Sequence, residues 1–163
     1  MSSQRIIIVI DNDEIIAYRD RAKPEQGDIY RVTGLWVTNS KGDILMAQRA
    51  FSKSHDPGKW GPAAAGTVDE GETYDDNVVK EAEEEIGLVG IKPAKGPKRR
   101  VSGQYDYFVQ WYTLSVDKAA EDFVIRKEEV EQVRWFTRPE LERAIAEHPD
   151  QYLPNLHWIL GEL

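Results

Sequence analysis

A chain of 163 residues with 40% hydrophobic side chains, five Trp and seven Tyr can bury one real core and is too apolar for a disordered segment. It has no cysteine, which excludes disulfides, a thiolate nucleophile and thiolate-ligated zinc, and suits a reducing cytoplasm. Its formal net charge of −8 argues against a nonspecific nucleic-acid binder, and makes an anionic substrate awkward unless cations reverse the field locally.

The first predicted elements are RIIIVI and EIIAYRD, two apolar runs flanking Asp11-Asn12-Asp13, which read as a β-hairpin. The opening MSSQRIIIVID has too short an aliphatic run for a signal-peptide core or a membrane span, and no other segment reads as a span. The Asp-x-Asp spacing lacks the glycine and distal glutamate of a calcium loop, so it reads as a turn. Ala22 to Asp28 is a polar connector, followed by the strands RVTGLWVTN and ILMAQRA joined at Ser40-Lys41-Gly42-Asp43. The loop SKSHDPGKW then leads through PAAAG into a helix. After the helix come a basic loop, the alternating strand YDYFVQWYTLSV and the strand VEQVRWF. Arg138-Pro139-Glu140 opens a helix, ELERAIAEH. A last short helix around NLHWILGEL turns Leu156, Ile159 and Leu160 inward. The order reads as an α/β chain with a mixed sheet.

The segment Gly66 to Leu88, GTVDEGETYDDNVVKEAEEEIGL, carries the chemistry. At about 100° per residue, Val78, Val79, Ala82 and Ile86 share one sector of a helix, and Glu81, Glu84 and Glu85 share another. Three carboxylates at i, i+3 and i+4 repel unless a cation sits among them. Mg²⁺ suits this arrangement, since it takes oxygen ligands and bridges carboxylates to substrate phosphates. Glu85 borders the apolar stripe and should be partly buried. Thr73 can cap the helix with Asp76 as its box partner, and Gly87 can end it in a left-handed conformation, giving about 13 residues.

This segment resembles the Nudix box, which runs glycine, five residues, glutamate, seven residues, then Arg-Glu-aliphatic-x-Glu-Glu-x-Gly-aliphatic. Gly66, Glu72, Glu81, Ala82, Glu84, Glu85, Gly87 and Leu88 fit it. Lys80 stands where the family usually has arginine, which keeps the charge but loses the bidentate fork. The resemblance implies a Nudix fold, a mixed β-sheet sandwiched between helices, with the hairpin as an N-terminal extension. It divides a single domain of residues 1–163 into an extension (1–28), a core (29–145) and a C-terminal helix (146–163). It implies hydrolysis of a diphosphate linkage with Mg²⁺ or Mn²⁺, in a nucleoside diphosphate derivative or similar metabolite. Glu81 and Glu85 would be the main metal ligands, Glu84 a third ligand or water-positioning base, and the Gly66 carbonyl a further ligand. Glu72 would pair with Lys80 and hold the loop to the helix. Some members draw the base from a loop before the last strand, where Glu128, Glu129 and Glu131 lie here. Glu129 is the choice among them.

Arg49 and Lys59, around the loop facing the box, are the candidate phosphate contacts, with Lys53 beside them. Lys95, Lys98, Arg99 and Arg100 read as a solvated charge run. Trp60 reads as a core anchor sooner than a base-stacking platform. His55 is the one histidine near the site and is not assigned as a ligand. The stretch from IIAYRD to DPGKW is similar to the Nudix branch of type I isopentenyl-diphosphate isomerases. Ala65 stands where those enzymes carry a catalytic cysteine, and no histidine lies near Tyr30-Arg31, which removes the isomerase chemistry. The alternative to a hydrolase is a Nudix fold that only binds a nucleotide or metabolite. The expected partner is a small-molecule diphosphate, with no nucleic acid and no membrane. The hairpin and the aromatics of YDYFVQWY leave room for a homodimer.

Overall fold

The computed structural model describes residues 4–163. Strands β1 (Arg5–Val9) and β2 (Ile15–Asp20) form the antiparallel hairpin, in register from Arg5↔Asp20 to Ile8↔Ala17. The turn places Asp13 at φ 64°, a left-handed conformation that Asp tolerates better than most residues.

Strand β3 (Ile29–Thr38) organises the sheet. Along one edge it runs parallel to β8 (Tyr107–Ser115), from Tyr30↔Tyr107 to Thr38↔Ser115. Its other edge is shared in turn by β1 at Ile29 and Tyr30, by β6 (Ala64–Thr67) at Val32 to Leu35, and by β4 (Ile44–Arg49) at Val37 and Thr38. Strand β4 also pairs with β5 (Trp60–Pro62) and, on its far edge, with β9 (Val130–Phe136). One parallel pair within antiparallel neighbours makes the sheet mixed, as expected.

Side-chain alternation along these strands separates two cores. Leu35, Val37, Leu45 and Tyr112 pack toward helix α1 (Tyr74–Ile86), against Val78, Ala82 and Ile86. Trp36, Ile44, Met46 and Trp111 face the other way, onto α2 (Arg138–Glu147) and α3 (Asn155–Glu162), through Leu141, Leu156, Ile159 and Leu160. Burying each such Ile, Leu or Val contributes about 1.5–3 kcal/mol, enough to fix the face each strand presents. A third cluster of Ile7, Val9, Val68 and Phe108 seats the hairpin.

Three sequence readings change. The basic loop is strand β7 (Ala94–Val101), antiparallel to β8, with a register shift between Lys95 and Lys98. Its cations are engaged: Lys98 lies 2.7 Å from Asp13, Arg100 lies 3.2 Å from Asp11, and Arg99 stacks 4.8 Å over the Trp158 ring. Pro97 and two lysines hid the strand, because polar residues are tolerated on a strand whose outer edge faces water. Strands β5 and β6 were hidden by their Ala, Gly and Pro content, which carries little β propensity. Thirdly, most aromatics of YDYFVQWY are covered: Phe108 is 8%, Trp111 1% and Tyr112 2% exposed. The hairpin does turn Ile15, Ile16 and Tyr18 outward.

Candidate active site

Helix α1 is built by its ends. The Thr73 hydroxyl accepts from Asp76 N–H at 3.0 Å, and the Asp76 carboxylate accepts from Thr73 N–H at 3.0 Å, completing the capping box. Gly87 closes the helix at φ 70°, where a side chain would be strained. No basic residue occupies the last turn, so Glu83 to Glu85 stand at the unfavourable end of the helix dipole. Their cluster is therefore costly to the helix itself.

The loop between β6 and α1 is clamped to the helix. Lys80 Nζ lies 2.7 Å from Glu72 and 3.1 Å from Asp69. The Glu72 carboxylate also accepts from Asp69 N–H at 2.9 Å and from Asn77 Nδ2 at 3.2 Å. Burial opposes its charge, yet Lys80, the Asp69 N–H and Asn77 together hold its pKa below the usual carboxylate range. Asn77 is fully buried, donates to the Thr67 carbonyl at 3.1 Å, and accepts from the Thr33 hydroxyl at 2.6 Å. The role of Asn77 is not legible in the sequence, because one Asn within a polar helix carries no pattern. The hairpin reinforces the same loop: Glu70 N–H donates to the Arg5 carbonyl at 2.7 Å, and Ile7 N–H to the Val68 carbonyl at 3.3 Å.

Glu81 and Glu85 turn toward β6. A Cβ on Gly66 would lie 2.4 Å from Glu81 Cδ, so the glycine leaves the space that this carboxylate fills. Glu85 Oε1 accepts from Ala65 N–H at 3.0 Å. Burial pushes the Glu85 pKa up to about 8, with the neighbouring Glu81 adding to the rise. Burial also raises Glu81 to about 7, with Lys80 at 3.8 Å easing the rise and the Glu84 carboxylate adding to it. Glu84 itself is exposed. The donor set is thus two inward carboxylates that hold protons when nothing else neutralises them. This is the chemistry of a hard-cation site. Among the described residues no three His, Asp or Glu side chains could hold a metal ion unaided.

These raised values fix a pH dependence. Between the ordinary glutamate pKa of 4.5 and about 8, the folded protein holds protons that the unfolded chain has released. Stability of the metal-free protein therefore falls as pH rises through that window. Glu85→Gln is expected to flatten the decline. Thermal melts in chelator across roughly pH 5 to 8 check it. Parallel profiles for the two proteins would show that Glu85 does not titrate there.

A cleft opens beside Glu85. It is lined by Arg49 and Lys53, by Glu129, and by small side chains including Ala63, Ala65 and Gly61. Glu129 precedes β9; its carbonyl accepts from Ala50 N–H at 3.0 Å, and its carboxylate forms an ion pair with Lys53. Glu128 points elsewhere, with its side chain 80% exposed and 3.8 Å from Arg126. Arg49 Nε donates to the His55 carbonyl at 3.0 Å. Lys59 lies outside the cleft lining, 3.7 Å from Asp56. Trp60 packs edge-on against Phe136, in the core beneath α2 and α3. His55 is exposed, with its ring 5.3 Å from Tyr105.

A glycine loop, a clamped acidic helix and a cation-lined cleft thus meet on one mixed sheet. The NUDIX domain model matches residues 28–157. An uncharacterized Nudix hydrolase of Yersinia pestis is 30% identical over 154 residues, spanning 91% of this chain and 79% of its own. YfcD of Escherichia coli K12, another uncharacterized Nudix hydrolase, is 28% identical over 160 residues, spanning 94% and 83%. A crystal structure from Deinococcus radiodurans superposes with a TM-score of 0.82 at 23% identity, over 97% of this chain and 98% of that one. A MutT protein of Methanosarcina mazei superposes at 0.69, with 15% identity, over 85% and 95%. At such identities the two structures speak for the fold alone. The chain belongs to the Nudix family and is a Nudix hydrolase.

Proposed function

We propose that the chain hydrolyses a diphosphate linkage in a nucleoside diphosphate derivative or similar small metabolite, with Mg²⁺ or Mn²⁺ as cofactor. One observation carries the reading: the inward-turned Glu81 and Glu85 lie against the glycine loop, and Glu85 lines a cleft holding two cations and one further carboxylate. Glu81 and Glu85 would hold the ion, with the Gly66 carbonyl completing the protein's share and the exposed Glu84 reaching it through water. A divalent ion there supplies charge neutralisation of the diphosphate and a lowered pKa for water.

The chain's own side chains do the rest. Lys80 and Glu72 hold the loop against the helix so that Glu81 and Glu85 keep their aim. Arg49 binds the phosphates from the cleft wall, and Lys59, outside that lining, adds its charge to their approach. Glu129 accepts a proton from the attacking water as the water oxygen bonds to phosphorus. The bond from that phosphorus to the bridging oxygen breaks, and the departing phosphate keeps the electron pair.

Ala65 presents only a methyl group to the cleft, so isomerase chemistry has no acid there. A Caenorhabditis elegans Ap4A hydrolase complex shares the fold (TM-score 0.54, 21% identity, 72% of this chain and 85% of that one), and dinucleoside polyphosphates are included in the test for that reason. No helix among the described residues is long and apolar enough to cross a membrane, and the cysteine-free composition suits a cytoplasmic site of action. The test is a panel of nucleoside di- and triphosphates, nucleotide sugars, ADP-ribose, dinucleoside polyphosphates and prenyl diphosphates with Mg²⁺, followed by ³¹P NMR. Cleavage at a P–O–P bridge is expected for at least one class. Reaction confined to isomerisation of isopentenyl diphosphate would overturn the reading.

A further inference from the structure

The cleft contains a contradiction. A general base needs a free carboxylate, yet Glu129 is occupied by the Lys53 ammonium. The two residues are 76 apart in sequence, and main-chain bonds hold them together. Ala50 N–H donates to the Glu129 carbonyl at 3.0 Å, and Lys53 N–H donates to the Ala50 carbonyl at 3.2 Å. The ion pair is therefore built into the junction of the β4–β5 loop with the start of β9. It is also partly solvated, the side chains being 23% and 36% exposed, so exchanging one anion for another costs little.

The surroundings say which anion would exchange. Both residues line the same cleft as Glu85 and Arg49. On a chain of net charge −8, a cation in that cleft is where a polyanion is drawn. Among the described residues, Glu129 is the carboxylate that Lys53 contacts. The other cation on the same wall, Arg49, bonds to a main-chain carbonyl and, among the described residues, has no carboxylate partner. Lys53 and Glu129 both bear on the charge of Glu85, with Lys53 favouring its ionised form and Glu129 opposing it. The pair thus shares the cleft, and an electrostatic interaction, with Glu85.

We propose that Lys53 is an anion-exchange latch: in the free enzyme it binds the Glu129 carboxylate, and a substrate phosphate displaces that carboxylate from the ammonium. Phosphate binding and release of the base are then one event. The base is masked until the diphosphate is seated, and the ammonium passes from one anion to another without being left unpaired. The latch rests on the diphosphate-hydrolase reading above and adds to it a residue outside the Nudix box. It also predicts competition between Glu129 and substrate for one cation, which a merely structural ion pair does not.

Calorimetric titration with methylenediphosphonate and Mg²⁺ tests it, since this probe carries the phosphate charges and resists hydrolysis. Glu129→Gln and Glu129→Ala should bind the probe about two- to fivefold more tightly than the native protein, because Lys53 no longer has a competitor. Lys53→Met should bind about tenfold more weakly, through loss of a charged contact, and Lys53→Arg should recover most of that loss. In the double variant Lys53→Met/Glu129→Ala, the gain from removing Glu129 should vanish. Unchanged or weaker binding by both Glu129 variants would overturn the latch while leaving the hydrolase reading in place. A native protein that binds no diphosphonate with Mg²⁺ would overturn the diphosphate reading and the latch with it.

Discussion

Glu85→Gln is expected to lower turnover by about 10²-fold or more, near 2.7 kcal/mol of transition-state stabilisation. The substitution keeps shape and removes one negative charge. The Ala65 N–H can still donate to the amide oxygen, so the contact with β6 survives. What disappears is half of an inward carboxylate pair whose pKa values lie near 7 and 8. In the metal-free protein that pair is a burden above neutral pH. The variant should therefore melt higher than the native protein in chelator at pH 8, and lose the native response to added Mg²⁺. Gain of stability with loss of turnover separates a functional carboxylate from a structural one. If Glu85→Gln keeps near-native turnover on a cleaved substrate, Glu85 does not hold the metal.

The second large effect belongs to Glu129. Glu129→Gln is expected to reduce turnover by about 10²-fold, within the range for losing a positioned proton acceptor, with little change in metal affinity. Glu128→Gln is expected to have almost none. The two residues are adjacent, yet one carboxylate enters the cleft and the other lies 80% exposed beside Arg126. The pair therefore carries its own control for local unfolding. Rates under saturating substrate and metal decide the matter. Equal small effects would return the base to Glu84 and leave the segment before β9 as solvated surface.

Much of the box was legible because its signals are local. The cap at Thr73, the stop at Gly87 and the apolar spacing of Val78, Ala82 and Ile86 each follow from a few neighbouring residues. The hairpin and the strands around Trp36, Met46 and Trp111 were legible from aliphatic and aromatic runs. Strand β7 was not, because its strand character comes from the partner β8, not from its own lysines, glycine and proline. The site was legible where it is one helix and obscure where distant segments meet. The Lys53–Glu129 pair joins residues 76 apart, and the Thr33–Asn77 bond joins residues 44 apart. Neither has a sequence period. Asp13, read as a turn residue, receives Arg31 at 2.8 Å, Lys98 at 2.7 Å and the Tyr74 hydroxyl at 2.9 Å. Its turn conformation was foreseeable, but its place at the meeting of three elements was not. Conversely, helical spacing sets Glu85 alone beside the apolar stripe, and the fold turns Glu81 inward with it. Packing against β6 draws Glu81 and Glu85 inward and leaves Glu84 in solvent.

The central claim is that this acidic site works through a divalent cation. The most direct measurement is hydrolysis of a cleaved diphosphate substrate by purified protein in excess chelator, then after return of Mg²⁺ or Mn²⁺, with the melting temperature followed throughout. Turnover should vanish in chelator and return with the metal, and the melting temperature should climb with metal concentration, as binding to the folded state requires. Undiminished hydrolysis in excess chelator would contradict the account.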